Sequence, residues 1–184
     1  RRSHAARVKQ VATVASPPLS VLLKLMNVPS DDLFAELLTK QMGARFEGRG
    51  TIAAGADLIR QVIDTYGLRP TILDGSGLDR SDRSSPREVA ALLRLIWRTG
   101  TSRVLEGSLP LVGVNGTTRR IAAGTPSAGQ CVAKTGTLNT VTNLAGYCHS
   151  RGHRTLAFAL FIEGPTNNIG IPLLSRMIEA IQTY

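Results

Sequence analysis

After Gly129 the apolar periodicity changes from helical to extended, and the links there leave little choice of topology. Residues 130–138, 141–149 and 155–163 read as strands, joined by Asn139-Thr140 and by Ser150-Arg151-Gly152-His153. A parallel crossover needs about a dozen residues or more, so these strands form an antiparallel meander. An amphipathic segment follows at 172–182, with Leu173, Leu174, Met177, Ile178 and Ile181 at helical spacing. That helix is expected to cover one face of the sheet.

Before Gly129 the pattern is helical. Residues 18–27 and 31–42 place Leu19, Leu22, Leu23, Leu25 and Met26, then Leu33, Phe34, Leu37 and Leu38, at helical intervals. Ser30 and Asp31 stand where the second helix needs its N-cap. A third helix spans 51–66 and stops at Gly67. The clearest start is Ser85-Pro86-Arg87-Glu88: a Ser N-cap, Pro at the first position and Glu at the third. That helix runs through Trp97, read as core, towards Gly100. Residues 8–15 read as a strand, and 71–73 as a short extended piece leading into Asp74-Gly75-Ser76-Gly77. The fold class is therefore α+β, mostly helical over about 16–128, with meander and terminal helix over 129–184.

Several function classes fall away. The 184 residues carry 22 basic and 13 acidic side chains, a net charge of +9, but only 4% aromatics. The basic residues are scattered, and no nucleic-acid motif accompanies them, so no nucleic-acid partner is expected. No apolar run approaches the roughly 18 residues of a membrane span. Two cysteines exclude a thiolate zinc cluster. His149 and His153 bracket a hairpin turn rather than a helical turn and lack a third ligand, so no metal is expected. No cofactor motif is present. The abrupt opening Arg1-Arg2-Ser3 reads as a truncation point.

Two short elements can carry chemistry. Lys134-Thr135-Gly136-Thr137 lies on the first meander strand. Its lysine can set a positive charge beside a serine or a substrate carboxylate. Its outward N–H groups can bind a peptide or an oxyanion, and Gly136 admits a ligand close to the strand. Ser30-Asp31-Asp32 stands about a hundred residues earlier. Ser-Asp-Asn followed by Lys-Thr-Gly is the order found in penicillin-binding proteins and class A β-lactamases.

Further segments join these two. Ser16-Pro17-Pro18-Leu19, a helix and Ser30-Asp31-Asp32-Leu33 resemble the second-motif region of D-alanyl-D-alanine carboxypeptidase/endopeptidases, the class C low-molecular-mass penicillin-binding proteins. Leu73-Asp74-Gly75-Ser76-Gly77-Leu78 with Ser85-Pro86-Arg87 resembles their DGSGLS…TP segment. Val114-Asn115-Gly116-Thr117 with Arg119-Arg120 resembles their (D/N)GT-x-RR stretch. Ala133-Lys134-Thr135-Gly136-Thr137-Leu138 with Leu144-Ala145-Gly146-Tyr147 resembles the third motif and the strand after it. The resemblance covers the chain from about Val11 to the last helix. It implies a serine penicillin-binding protein/β-lactamase-like fold, an antiparallel sheet flanked by helices with an α-helical subdomain opposite.

The implied activity is D-Ala-D-Ala carboxypeptidase or endopeptidase action on peptidoglycan peptide stems, with penicillin and other β-lactam antibiotics as ligands. In the family's scheme Ser30 relays a proton, Lys134 sets the electrostatics, Thr135 and Thr137 hold the terminal carboxylate, and the Thr137 N–H is half of an oxyanion hole. The substrate implies an exported protein of the periplasm or cell wall. A non-catalytic peptidoglycan-stem binder is the alternative; the DGSGL segment argues against a β-lactamase.

Three departures stand out. No serine has lysine three residues on, so the Ser-x-x-Lys nucleophile is expected from an upstream segment of the same protein. Without it this chain is expected to form no acyl-enzyme. Asp32 replaces the usual asparagine, and a carboxylate cannot donate the amide hydrogen bond; it is free to pair with Lys134 or another cation. Asp79 replaces the serine that ends DGSGLS. Ser76 does not fit G-x-S-x-G and reads as a turn residue.

If the first hairpin turns at Asn139-Thr140, Leu138 faces Val141 and Cys131 lies opposite Cys148. Directly opposed residues are about 4.5–5.5 Å apart at Cα, which a disulfide spans. A register shifted by one would put the two thiols on opposite faces.

Overall fold

The computed structural model describes residues 11–164 and 169–184. Five helices come first: α1 Leu19–Asn27, α2 Asp32–Glu47, α3 Ile52–Asp64, α4 Pro86–Trp97 and α5 Ser102–Ser108. A 3₁₀ turn at Gly116–Thr118 leads to β1 Cys131–Leu138, β2 Val141–His149 and β3 Thr155–Glu163, and α6 Gly170–Thr183 ends the chain. The sheet is antiparallel in the order β1-β2-β3. No helix among the described residues is long and apolar enough to cross a membrane.

The start of α4 forms as its sequence dictates. Ser85 Oγ accepts from the Glu88 N–H, Glu88 reaches back to the Ser85 N–H, and Pro86 holds the first position. Three expectations differ in detail. Of the strand at 8–15, residues 8–10 lie outside the described residues and 11–15 form no regular element. The helix through Trp97 stops there, with Arg98 as its C-cap. Residues 71–73 make only one bridge, Thr71 to Arg83. Helix α5 and the 3₁₀ turn carry too few periodic residues to announce themselves.

The sheet separates two layers. Cys131, Ala133, Leu144, Cys148 and Phe158 face Leu174 and Ile178 of α6, joined by Val112 and Ile121. The alternate residues face α4: the Tyr147 hydroxyl donates to Leu93 O at 2.7 Å, and its ring lies 5.0 Å from that of Trp97. Trp97 was expected in the core. It packs on Tyr147 from the last turn of α4 but remains 36% exposed at the end of that helix. Gly146 is required where it pairs with Ala133 of β1, since a Cβ there would sit 2.0 Å from Val132 O.

The hairpin register pairs Cys131 with Cys148, and a disulfide joins them across a Cα–Cα distance of 4.0 Å. Both cysteines are fully buried beneath α6.

Candidate active site

The second motif sits at the junction of α1 and α2, and the local geometry decides which residue is free to react. Ser30 adopts φ +62°, a left-handed conformation rare outside glycine. The Asp31 N–H bonds back to Met26 O at 2.9 Å, closing the turn that ends α1. Asp31, not Ser30, caps α2: its carboxylate accepts from the Phe34 N–H at 2.8 Å. Division of labour between neighbours leaves the Ser30 hydroxyl uncommitted to the helix. A left-handed serine costs on the order of 1–3 kcal/mol, so this backbone is held by its surroundings.

The surroundings are identifiable. Gly116, at φ +55°, presses on the loop so closely that a Cβ would lie 2.5 Å from Val28 O. The Thr117 N–H donates to the same carbonyl at 3.3 Å. Asn115 anchors this turn by accepting from the Leu111 N–H at 2.8 Å, and Leu111 bridges to Val132 on β1. The (D/N)GT-like segment thus ties the Ser30 loop to the strand bearing Lys134.

Lys134 Nζ donates to Ser30 Oγ at 2.6 Å and to Thr135 O at 2.7 Å. Burial pushes the Lys134 ammonium below its ordinary value of 10.5, and the negative charge of Asp32 opposes that shift. Asp32 lines the same cleft but forms no ion pair with Lys134; the lysine is engaged by oxygen atoms instead.

The outer edge of β1 is paired only at its start. Ala133 N–H donates to Pro110 O and Val112 N–H to Cys131 O. Alternation along the strand turns the N–H and C=O groups of Thr135 and Thr137 to that same edge, where no further strand of the described residues lies. Gly136 is exposed, and a Cβ there would make only an ordinary 3.6 Å contact with Asn143. Folding therefore does not demand glycine at this position.

The opposite wall is the loop from Asp74. Glu36 on α2 accepts from the Gly75 and Ser76 N–H groups at 3.3 and 3.1 Å. Asp74 accepts from the Gly77 and Asp79 N–H groups at 2.6 and 2.8 Å. Burial pulls the Asp74 carboxyl upward, but these donors outweigh it and hold the group below its usual range. Burial, helped by the Asp74 charge, raises Asp82, which accepts from the Leu73 N–H. Ser76 is a turn residue that donates to Asp74. Asp79 accepts from the Ser81 N–H, a local cap within the loop.

The result is a cleft of about 330 Å³ between Ser30, Asp32, the Ser76–Leu78 wall and Lys134–Leu138. It brings together all six sequence-predicted residues: Ser30, Asp32, Lys134, Thr135, Gly136 and Thr137. Sequence reasoning missed Glu36 and assigned no role to Thr117. Glu36 carries no local signal, because its partners are some 40 residues away. At the far end of the sheet His149 binds Glu106 and Thr155. Among the described residues no group of three His, Cys, Asp or Glu side chains is arranged for a metal.

Comparison with known proteins decides the family. The D-Ala-D-Ala carboxypeptidase 3 (S13) family matches residues 1–180. The chain belongs to this family. It is 30% identical to the D-alanyl-D-alanine carboxypeptidase DacB of Haemophilus influenzae over 155 residues, 81% of this chain and 32% of that protein. It is 33% identical to a D-alanyl-D-alanine carboxypeptidase of an Actinomadura species, over 74% of this chain and 27% of that protein. The crystal structure of penicillin binding protein 4 (dacB) from H. influenzae, complexed with a novel β-lactam, superposes with a TM-score of 0.80. The two are 26% identical, over 91% of this chain and 42% of that one. A β-lactamase from Chitinophaga pinensis, 19% identical with a TM-score of 0.68, shares the fold. This D-Ala-D-Ala carboxypeptidase-family chain spans about a third of the length of these curated relatives. The α+β, penicillin-binding-protein/β-lactamase-like architecture expected from its sequence is the one it adopts.

Proposed function

We propose that this chain is the C-terminal part of a transpeptidase-like domain in a serine-type carboxypeptidase acting on D-Ala-D-Ala peptidoglycan stems. The observation that carries the reading is the 2.6 Å hydrogen bond from Lys134 Nζ to Ser30 Oγ beside the open edge at Thr135 and Thr137. An extended stem peptide adds to that edge as a strand, its backbone meeting Thr135 and Thr137. A nucleophilic serine on an upstream segment attacks the penultimate D-Ala carbonyl. The Thr137 N–H faces the developing oxyanion. Ser30 passes the proton to the departing D-Ala amine, and Lys134 holds positive charge against the Ser30 oxygen throughout. Water then hydrolyses the acyl-enzyme. Endopeptidase cleavage of a cross-linked stem is the same step with a different amine leaving. β-Lactams acylate the same serine. A peptidoglycan substrate would be met outside the cytoplasm, and the buried disulfide suits an oxidising compartment.

Covalent labelling of the full-length protein by a fluorescent penicillin tests this. A stable adduct that a stem peptide competes away supports it. Stem binding without an adduct would establish the non-catalytic stem-binding reading, which Asp32 favours because its carboxylate accepts but does not donate.

Two variants follow from the geometry. Asp32→Asn restores an amide donor, worth roughly threefold to tenfold in acylation rate. It also removes the charge that supports the Lys134 ammonium. Lys134 then loses its proton at lower pH, so the alkaline limb of the kcat/KM profile moves down. A slower rate or an unmoved limb would refute the assignment. Gly136→Ala is expected to melt within a few degrees of the parent, since its methyl has room. Its acylation should fall by about tenfold or more as the methyl occupies ligand space, a loss of ~1.4 kcal/mol or more in transition-state binding.

A further inference from the structure

The Asn115-Gly116-Thr117 turn contributes more than a brace. The Thr117 side chain lines the cleft, and Thr117 Oγ1 accepts a hydrogen bond from Thr135 Oγ1 at 2.7 Å. A hydroxyl has one proton and two acceptor sites. Thr135 spends its proton on Thr117, so in the empty cleft it has none for a ligand. The Thr117 proton has no acceptor among the described residues. Thr117 is exposed at the open edge of β1, beside the side chains of Thr135 and Thr137, which alternation puts on one face of the strand. Its backbone is fixed at the same time, by the hydrogen bond to Val28 O and by the tight contact of Gly116 with that carbonyl.

We propose that Thr117 is a specificity-determining residue of the cleft, donating its hydroxyl proton to the terminal carboxylate of the bound stem and positioning Thr135 to accompany it. The proposal rests on the stem-peptide reading above and adds a third hydroxyl to Thr135 and Thr137. A carboxylate has about four lone-pair sites, so the Thr117 and Thr137 hydroxyl donors, with Thr135 donating to Thr117 behind them, fit a group that a C-terminal amide cannot replace. Thr117 touches no reacting bond. Its contribution is therefore to binding, and to the choice between a carboxylate and a neutral end.

The test uses the full-length protein with an N-acylated tripeptide ending in D-Ala-D-Ala and the same peptide as its C-terminal amide. Thr117→Val keeps the β-branched shape and removes the hydroxyl; Thr117→Ser keeps the hydroxyl. The valine variant is expected to raise KM for the free acid by about tenfold or more, with kcat within about twofold. For the amide it should change neither, and the serine variant should restore the parent value. Where the peptide is bound but not cleaved, the same ratios are read as Kd. Equal losses on acid and amide, an unchanged KM for the acid, or failure of serine to rescue would each overturn the assignment while leaving the stem reading intact. A parent protein that neither binds nor cleaves the free acid would overturn both.

Discussion

Replacing Lys134 with methionine is expected to lower penicillin acylation of the full-length protein by about 10²–10³-fold, the scale of losing one preorganised charged donor at a developing negative charge. The fold should survive. Methionine matches the lysine stem in length and removes a half-buried cation whose desolvation is already unfavourable. Burial depresses the Lys134 pKa below 10.5, so the folded state binds this proton less tightly than the unfolded state does. The resulting penalty is full below the depressed pKa and is relieved as pH climbs towards 10.5. Methionine has no proton to lose. Its melting temperature should equal or exceed that of the parent at neutral pH, with the difference narrowing as pH climbs towards 10.5 and the penalty disappears. Retained acylation, or collapse of the variant's stability at neutral pH, would remove Lys134 from the centre of the site.

Breaking the Cys131–Cys148 bridge should produce the largest stability change. The two residues are 17 apart in sequence. Loop-closure entropy for a ring of that size corresponds to about 3 kcal/mol at 25 °C. The double variant Cys131→Ala/Cys148→Ala, compared with oxidised parent by urea unfolding, should lose on the order of 2–4 kcal/mol with m increasing, since its unfolded chain is no longer cross-linked. Thiol titration of the oxidised parent under denaturing, non-reducing conditions should find no free thiol. Two free thiols in protein recovered from an oxidising compartment, or unchanged unfolding in the double variant, would mean the bridge does not hold the strand carrying Lys134.

The strand assignments, the antiparallel topology, the α4 capping box and the facing of Cys131 and Cys148 were legible because each follows from local chemistry: period, link length, cap residues and hairpin register. The 8–15 strand did not appear over its described part, for β-branched apolar residues give the same local pattern whether or not a neighbour exists to pair with them. Trp97 shows the same gap from the other side. Its spacing places it on the sheet-facing stripe of α4, but how far the helix covers the sheet is not a local property.

The site divides in the same way. Its six candidate residues stand in two short motifs, and the resemblance of four ordered segments points to them. What those residues do to one another came from the tertiary structure alone. The sequence left Ser30 and Asp31 as equal candidates for the α2 cap; the left-handed turn at Ser30 assigned the cap to Asp31 and turned the Ser30 hydroxyl to Lys134. It allowed an Asp32–Lys134 ion pair; packing gave the lysine two oxygen acceptors and left Asp32 acting through its charge. Glu36 and Thr117 entered because chain segments far apart in sequence meet at the cleft. Periodicity and capping are fixed within a few residues of chain, so sequence determines them. A hydrogen bond between Ser30 and Lys134, 104 residues apart, depends on every element packed between them.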